Sequence, residues 1–485
     1  MVLQRPAMAL DQPPSPPFSP LADGFAEPDR AAWLALVEKT LKGAPLASLE
    51  RRTVEGLAIE PLYEAAPGAP AIVRSVAGWD LRATVRGADP ADANAEALAE
   101  LSQGADSLLL RLDPAGTDGI AVGGPEDLDR VLAGVLLDVA PVALDAGFLG
   151  PRAADWLGAA AKGAPAAPLA FNLDPLGAFA AGGSSPGPIE AHVIAAATVG
   201  ARLADTYPKA TLFLASGRAA HEAGGGEALE LGLAAAGALA YAKALVRAGL
   251  AMEDTFARIV LGLALDADAF LGVAKLRAAR RIWARLAGAC GASGEALIEA
   301  RSSARMLTGA DPWTNMIRLT AAAFAGAVGG ADTVALGAFT DVLGAPTPFA
   351  RRQSRNIQLV LREEASLGRV IDPGAGSGYL ETLTDELARA GWAELQAIEA
   401  AGGLIRALET GLVAEAAQRG RAELAARLQR REAKLLGVTD FAADDLRAAP
   451  TAAPATRAAD PPSPRLPGPD GRCAPLKPIR LEDLA

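Results

Sequence analysis

Short apolar or β-branched runs recur along this chain, separated by longer amphipathic stretches. The runs fall at Ser107 to Leu112, Val142 to Asp145, Leu169 to Leu173, Thr211 to Ala215, Ile259 to Leu263, Leu297 to Arg301, Thr333 to Leu336 and Arg369 to Ile371, and each reads as a strand. Between them lie Pro125 to Leu136, Pro151 to Lys162, Pro188 to Tyr207, Glu227 to Leu250, Ala267 to Gly288, Pro312 to Gly329 and Pro348 to Leu367, with Glu381 to Ala401 after the last run. These stretches are long enough for helices, and several begin with proline, which suits a first helical turn. Strict alternation requires parallel strands joined by right-handed crossovers, and eight repeats are the number that closes a barrel. The pattern predicts an α/β fold, a (β/α)8 TIM barrel rather than an open doubly wound sheet.

The flanks read differently. Residues 1–52 form an arm: the first 29 residues are proline-rich and extended or disordered, and Arg30 to Lys42 carries Trp33, Leu36, Val37 and Leu41 at helical spacing. The barrel is expected over residues 53–403, opening with TVEGLAIEPLY, which Pro61 restricts to an edge or docking segment. A helical segment with many charges on one face follows over 404–447 and is expected outside the barrel. Residues 448–485 are rich in alanine and proline, the signature of a disordered linker or tail, and run out at LEDLA.

Composition narrows the function classes. A chain of 485 residues that is 51% hydrophobic and 21% charged can bury a large core. Its net charge of -11 repels a phosphate backbone, and no basic run with interleaved aromatics offsets that, so nucleic acid is an unsuitable partner. Two cysteines, Cys290 and Cys473, provide neither a disulfide framework nor a zinc spacing. The first residues lack the unbroken apolar core of a signal peptide, and the most apolar windows are interrupted by charges, so a cytoplasmic protein without membrane contact is expected. Alanine enrichment favours helix but adds little bulk, leaving the core to Leu, Val, Ile and Phe.

Candidate chemistry is sparse. Of the two histidines, His192 lies inside a helix, where a packed role is the plain reading. His221, in SGRAAHEAGGG just after a strand, is better placed, but with no cysteine or second histidine nearby a structural role is favoured over a metal or catalytic one. The segment VIDPGAGSGYL, Val370 to Leu380, looks like the glycine-rich first motif of a nucleotide-fold methyltransferase. That reading needs a second strand ending in an acidic residue about twenty residues on. One long amphipathic helix follows instead, so the segment reads as a tight turn ending the eighth strand. The cluster Arg351, Arg352 and Arg355 reads equally as an anion site or as a solvated face balanced by Glu363 and Glu364.

Longer runs resemble a known family. DPWTNMIRLTAAAFAGAVGGADTV and PFARRQSRNIQLVLREEASLGRVIDPGAGSGYLETLTDELARAGWAELQAIEAAGG look like the barrel of methylmalonyl-CoA mutase and its acyl-CoA mutase relatives. EGLAIEPLY, IVRSVAGWDLR, HEAGGGEALELGLAAAGALAYAKALVRAGL and KLLGVTDF extend the likeness from about Trp33 to Phe441. The resemblance implies a barrel built around an adenosylcobalamin radical rearrangement, with the acyl-CoA threaded along its axis.

Catalytic members carry an Arg-Gln-Tyr run, and here Arg82 is followed by Ala83 and Thr84. They also carry Ser-Gly-Tyr-His-Met-Gln-Glu-Ala-Gly, matched here by Ser216, Gly217, Arg218, Ala219, Ala220, His221, Glu222, Ala223 and Gly224, so Ala219 stands at the catalytic histidine. Ala310 replaces a glutamine before Asp311-Pro312. Alanine can neither donate a proton nor polarise a thioester, so no catalytic residue is expected in this chain.

The family's cobalt-ligating Asp-x-His-x-x-Gly motif does not occur, since no histidine follows His221. No metal or cofactor is therefore expected on this chain, and its usual cobalamin-binding domain is expected to be absent. The resemblance points to the small, non-catalytic (beta) subunit of the family. Its expected partner is a catalytic large subunit, in a heterodimer that interconverts methylmalonyl-CoA and succinyl-CoA in propionate metabolism, with acyl-CoA and adenosylcobalamin held by that partner. The rival readings are a barrel subunit of a split mutase served by a separate cobalamin protein, a methyltransferase using S-adenosylmethionine, and a regulatory binding protein.

Overall fold

A computed structural model describes residues 24, 29–114, 116, 118–442, 447–453 and 462–485. The chain divides into two compact units, the smaller made of residues 1–51 with 58–61 and the larger of 52–57 with 62–485. In the smaller unit, helix α1 (Arg30–Leu41) is capped by the Asp29 carboxylate accepting from Ala32 N, and none of its residues is buried. Arg30 pairs with Glu60 at 3.2 Å. Residues before Asp29, apart from Gly24, lie outside the described set, and with them most of the proline-rich arm.

The larger unit holds a closed barrel of eight parallel strands. They are β1 (Asp80–Val85), β2 (Ser107–Arg111), β3 (Val142–Asp145), β4 (Ala170–Leu173), β5 (Thr211–Ser216), β6 (Ile259–Leu265), β7 (Leu297–Ser302) and β8 (Thr333–Ala335). Closure comes from β8 pairing with β1, Val334 opposite Leu81, while β1 pairs onward with β2, Arg82 opposite Ser107. The barrel is as predicted, but its strand count needs one correction. Seven of the expected runs are barrel strands; Arg369 to Ile371 is not, and Val370 and Ile371 are exposed at 60% and 43%. The missing strand is β1, whose inward face carries Arg82 and Thr84 and so breaks the apolar run that the hydrophobic pattern sought. Every later strand moves up one place, and Ala219 follows the fifth strand rather than the fourth.

The main apolar core lies between the barrel and its helices, with Phe171, Phe179, Phe213 and Trp283 almost fully buried. Each contributes about 1.5–3 kcal/mol by leaving water. Helix α2 (Glu227–Arg247) is long and apolar enough to cross a membrane, but most of it is buried here between β5, β6 and helix α3 (Gly378–Ala400). Gly391 of α3 allows the close approach. A Cβ there would sit 2.8 Å from Leu231 and 2.9 Å from Ile282. Small residues thus set the helix spacing, which is what the alanine-rich composition supplies.

The glycine-rich segment before α3 serves packing. Asp372 is gripped by the fully buried Arg277 and accepts from Ile72 N at 3.1 Å, while Ser377 caps α3. Gly378 faces the backbone of Glu64 so closely that any Cβ would collide with its carbonyl at 1.7 Å. The turn expected to end an eighth strand instead joins two helices, because no strand precedes it. Among the described residues the one large sheet is the closed barrel, with no open nucleotide-binding sheet, so the methyltransferase reading is overturned.

The expected disordered tail is corrected over the residues described. Gly471–Arg472 pairs antiparallel with Ser184–Ser185, Leu476 N donates to Ala180 O at 2.8 Å, and Ile479 N donates to Glu222 O at 2.8 Å. Leu481 N then donates to Arg305 O, and Glu482 accepts from Gly309 N at 2.7 Å and Ala310 N at 2.8 Å. Proline removes donors but leaves acceptors and extended geometry, so such a segment lies well along a surface with only short stretches of regular structure. Residues 454–461 lie outside the described set. Helices Leu404–Glu409 and Leu412–Gln429 pack on the barrel through Leu408, Val413 and Ala417.

Candidate functional site

Reactive groups in such barrels gather at the C-terminal ends of the strands. A cavity of about 330 Å³ opens there, lined from β1, β2, β3, β7, β8 and the segment after β5. Its floor is an ion-pair net across the barrel axis. Arg82 reaches Glu299 at 2.6 Å, Asp80 at 2.9 Å and the Ser107 hydroxyl at 2.9 Å. Arg301 takes the other Glu299 oxygen at 2.6 Å and Asp145 at 2.6 Å, while Asn172 donates to Glu299 at 3.3 Å. Glu299 and Arg301 are two apart on one strand, so both point inward.

Burial pushes the Glu299 carboxyl up, but Arg301 and Arg82 outweigh it and hold the pKa down to about 2. Asp145 is also held below the usual carboxylate range, burial opposing and Arg301 then Arg111 prevailing. Below the net only Leu109, Ala143 and Ala170 form a small apolar cluster apart from the main core. The barrel interior is therefore filled by paired charges rather than left as an open axial tunnel.

Thr84 and Ala83 line the cavity. Ala219 sits in the short helix Arg218–Glu222 and packs against the core instead, while its neighbour Arg218 faces the cavity. Ala310 lies outside, exposed, its N–H held by Glu482. The structure thus brings Thr84 to the mouth and leaves Ala219 and Ala310 away from its lining. No imidazole and no phenol is among the lining residues described.

His192 is buried, its Nε2 3.1 Å from Pro186 O and its ring against Phe148. His221 is fully buried, with Nδ1 3.3 Å from Glu230 and Nε2 3.4 Å from Asp266. Burial and the cations of Arg305 and Lys275 oppose its protonation, yet Glu230 and Asp266 prevail and raise its pKa. Lys275, 2.6 Å from Glu230, and Arg305, 2.9 Å from Asp266, complete the cluster. Among the described residues, no group of three or more His, Cys, Asp or Glu is arranged to hold a metal ion.

The arginine cluster on helix α4 (Pro348–Leu359) divides. Arg355 is buried against Glu100 and Gln103, and Arg351 lies 3.6 Å from Glu96, both at the cavity wall, whereas Arg352 is exposed. Sequence reasoning passed over Arg111, Asp145, Arg218, Glu299 and Arg301. The available signal was a charge ending or interrupting otherwise apolar strands, in SLLLR, VALD and LIEARS.

Comparison with known proteins gives the site its context. The sequence profile of the methylmalonyl-CoA mutase family matches residues 68–459. The chain is 39% identical over 450 residues to a methylmalonyl-CoA mutase small subunit of Streptomyces virginiae, covering 87% of this chain and 71% of that one. It is 34% identical over 455 residues to the methylmalonyl-CoA mutase small subunit of Propionibacterium freudenreichii subsp. shermanii, covering 87% and 70%. To the methylmalonyl-CoA mutase of Escherichia coli (strain K12) it is 30% identical over 424 residues, covering 78% and 59%. With a closed barrel, a profile match over most of its length and small-subunit relatives at this identity, the chain belongs to the methylmalonyl-CoA mutase family.

Proposed function

We propose that this chain is a structural small subunit that pairs in the cytoplasm with a catalytic large subunit, and that the large subunit binds adenosylcobalamin and interconverts methylmalonyl-CoA and succinyl-CoA. The observation that carries this reading is the barrel mouth: a threonine and an alanine follow Arg82, no imidazole or phenol is among the described lining, and Arg82, Glu299 and Arg301 bridge the axis on which an acyl-CoA would thread. Catalysis of the rearrangement needs a proton donor or polarising group at the thioester, and the described lining holds no imidazole to serve as one. Cobalamin fits this chain's residues poorly. Its two histidines are turned inward, one onto Pro186 and Phe148 and the other between Glu230 and Asp266, so neither presents a nitrogen to a cobalt centre.

The exposed helix α1 supports a partner contact. Leu36 is 65% exposed, and Trp33, Val37 and Leu41 are only partly covered, an apolar face that a second chain would bury. A barrel subunit of a split mutase is the second reading, and the segment 476–484 lying over the strand ends speaks against a separate cobalamin protein docking there. Co-expression with a cobalamin-dependent large chain is expected to give a stable heterodimer on gel filtration. A monomer that ignores such a chain at micromolar concentration overturns the proposal. Succinyl-CoA turnover by this chain with an added cobalamin protein, and no other barrel present, supports the split enzyme instead.

A further inference from the structure

The charge around the barrel mouth is not balanced where it faces the cavity. Seven arginines but only four carboxylates are among the lining residues. Most of the arginines are committed: Arg82 and Arg301 to Glu299, Arg86 to Asp341, Arg351 and Arg355 to Glu100. Arg111 takes the exposed Asp118 at 2.7 Å, and among the described residues Arg218 alone of the seven forms no ion pair. The Arg218 Nε is buried without a hydrogen-bond partner. Asp145 lies within electrostatic reach of Arg301, Arg111 and Arg218 together, but touches Arg301 alone, so it forms no ion pair with Arg218.

Burial, and then the positive charge of Arg301, lower the pKa of Arg218, although Glu222, Asp145 and Glu299 oppose them without touching it. Four residues along the same short helix, Glu222 also lines the cavity, and neither of its carboxylate oxygens has a hydrogen-bond partner among the described residues. Arg218 and Glu222 do not close on each other within ion-pair distance, although they stand at the spacing that allows it. One face of the cavity therefore lacks an acceptor for the Arg218 Nε, with Arg111 held only by an exposed carboxylate, and the adjoining face lacks a donor for Glu222. Pro478 of the C-terminal segment walls the same space, and Ile479 N holds the Glu222 carbonyl, which fixes the helix that carries both side chains.

We infer that the barrel mouth binds a small dianion that also carries a hydroxyl, its negative oxygens on Arg218 and Arg111 and its hydroxyl donating to Glu222. Guanidinium forks suit both phosphate and carboxylate, and the volume admits a small metabolite. Monohydrogen phosphate and a short 2-hydroxydicarboxylate share the required chemistry. Succinate has the charge but lacks the hydroxyl. The site stands or falls independently of whether the chain pairs with a large subunit.

Isothermal titration of the full chain with inorganic phosphate, malate and succinate tests the inference. Saturable binding of phosphate or malate is expected, with succinate weaker than malate by roughly tenfold for the lost hydrogen bond to a charged acceptor. Which of the two binds separates a tetrahedral oxyanion from a dicarboxylate. Arg218→Gln and Arg111→Gln are each expected to weaken binding at least about tenfold, while Arg352→Gln, on the exposed face of α4, leaves it unchanged. Arg111 is partly exposed, so its variant keeps the test open should Arg218→Gln fail to fold. The inference is overturned if neither phosphate nor malate gives saturable heat up to about 10 mM. Binding that survives Arg218→Gln or Arg111→Gln, or succinate binding as tightly as malate, overturns it equally.

Discussion

Glu299 is the residue on which the barrel interior depends. It compensates Arg82 and Arg301 at once, so removing its charge leaves two buried cations with one carboxylate each, Asp80 and Asp145, both more exposed than Glu299. Glu299→Gln is expected to lower the unfolding free energy by about 3–5 kcal/mol, read from the guanidinium chloride midpoint; a loss under about 1 kcal/mol sinks this assignment. Because its folded pKa is depressed to about 2 from an ordinary 4.5, its contribution is present above pH 4.5 and is lost as pH falls toward 2.

His221 has the opposite sign. Its folded pKa is raised above 6.5, so its stabilisation is full below pH 6.5 and fades as pH rises through the folded value. His221→Gln is therefore expected to flatten the fall in melting temperature on the alkaline side of pH 6.5, and an unchanged slope rules this role out. The sequence already suggested that this histidine is structural. It did not identify Glu230 and Asp266 as the reason, since they come from a helix and a strand end that only the fold brings together.

At the scale of elements, helix spacing depends on small residues. Gly391 lies against Leu231 and Ile282 with no room for a side chain, so Gly391→Val is expected to cost about 1–3 kcal/mol despite removing a helix-weakening glycine. A lowered thermal midpoint with native circular dichroism would bear this out, whereas a rise would show that the two helices can separate freely. The elements were largely legible because their hydrophobic period survives in seven strands and most helices. Strand β1 escaped notice because it alternates apolar residues with Arg82 and Thr84, and a strand lining a charged interior looks like a loop to any search for greasy runs. Arg369 to Ile371 misled for the converse reason, as three residues of suitable composition with nothing to pair with.

For the whole molecule, the proposed pairing makes a prediction about the smaller unit. Helix α1 buries nothing of its own, so deleting residues 1–45 is expected to shift the melting temperature by less than about 2 °C while abolishing association with a large subunit. A large drop in melting temperature would instead make the arm part of the folded core.

The sequence by itself determined the barrel, because seven rightly placed strands alternating with helices leave the chain few ways to bury its apolar faces, and it determined the family through long matching runs. The identities of Thr84, Ala219 and Ala310 are likewise read from the sequence and need no coordinates. Tertiary structure alone decided what those positions face: Thr84 the cavity, Ala219 the core, Ala310 the solvent beneath Glu482. It alone brought Arg82, Asp145, Glu299 and Arg301 together from three strands and left Arg218 without an ion pair. Periodicity reports which residues leave water, but the pairing of buried charges depends on distances between segments far apart in the chain, and no local pattern encodes those distances.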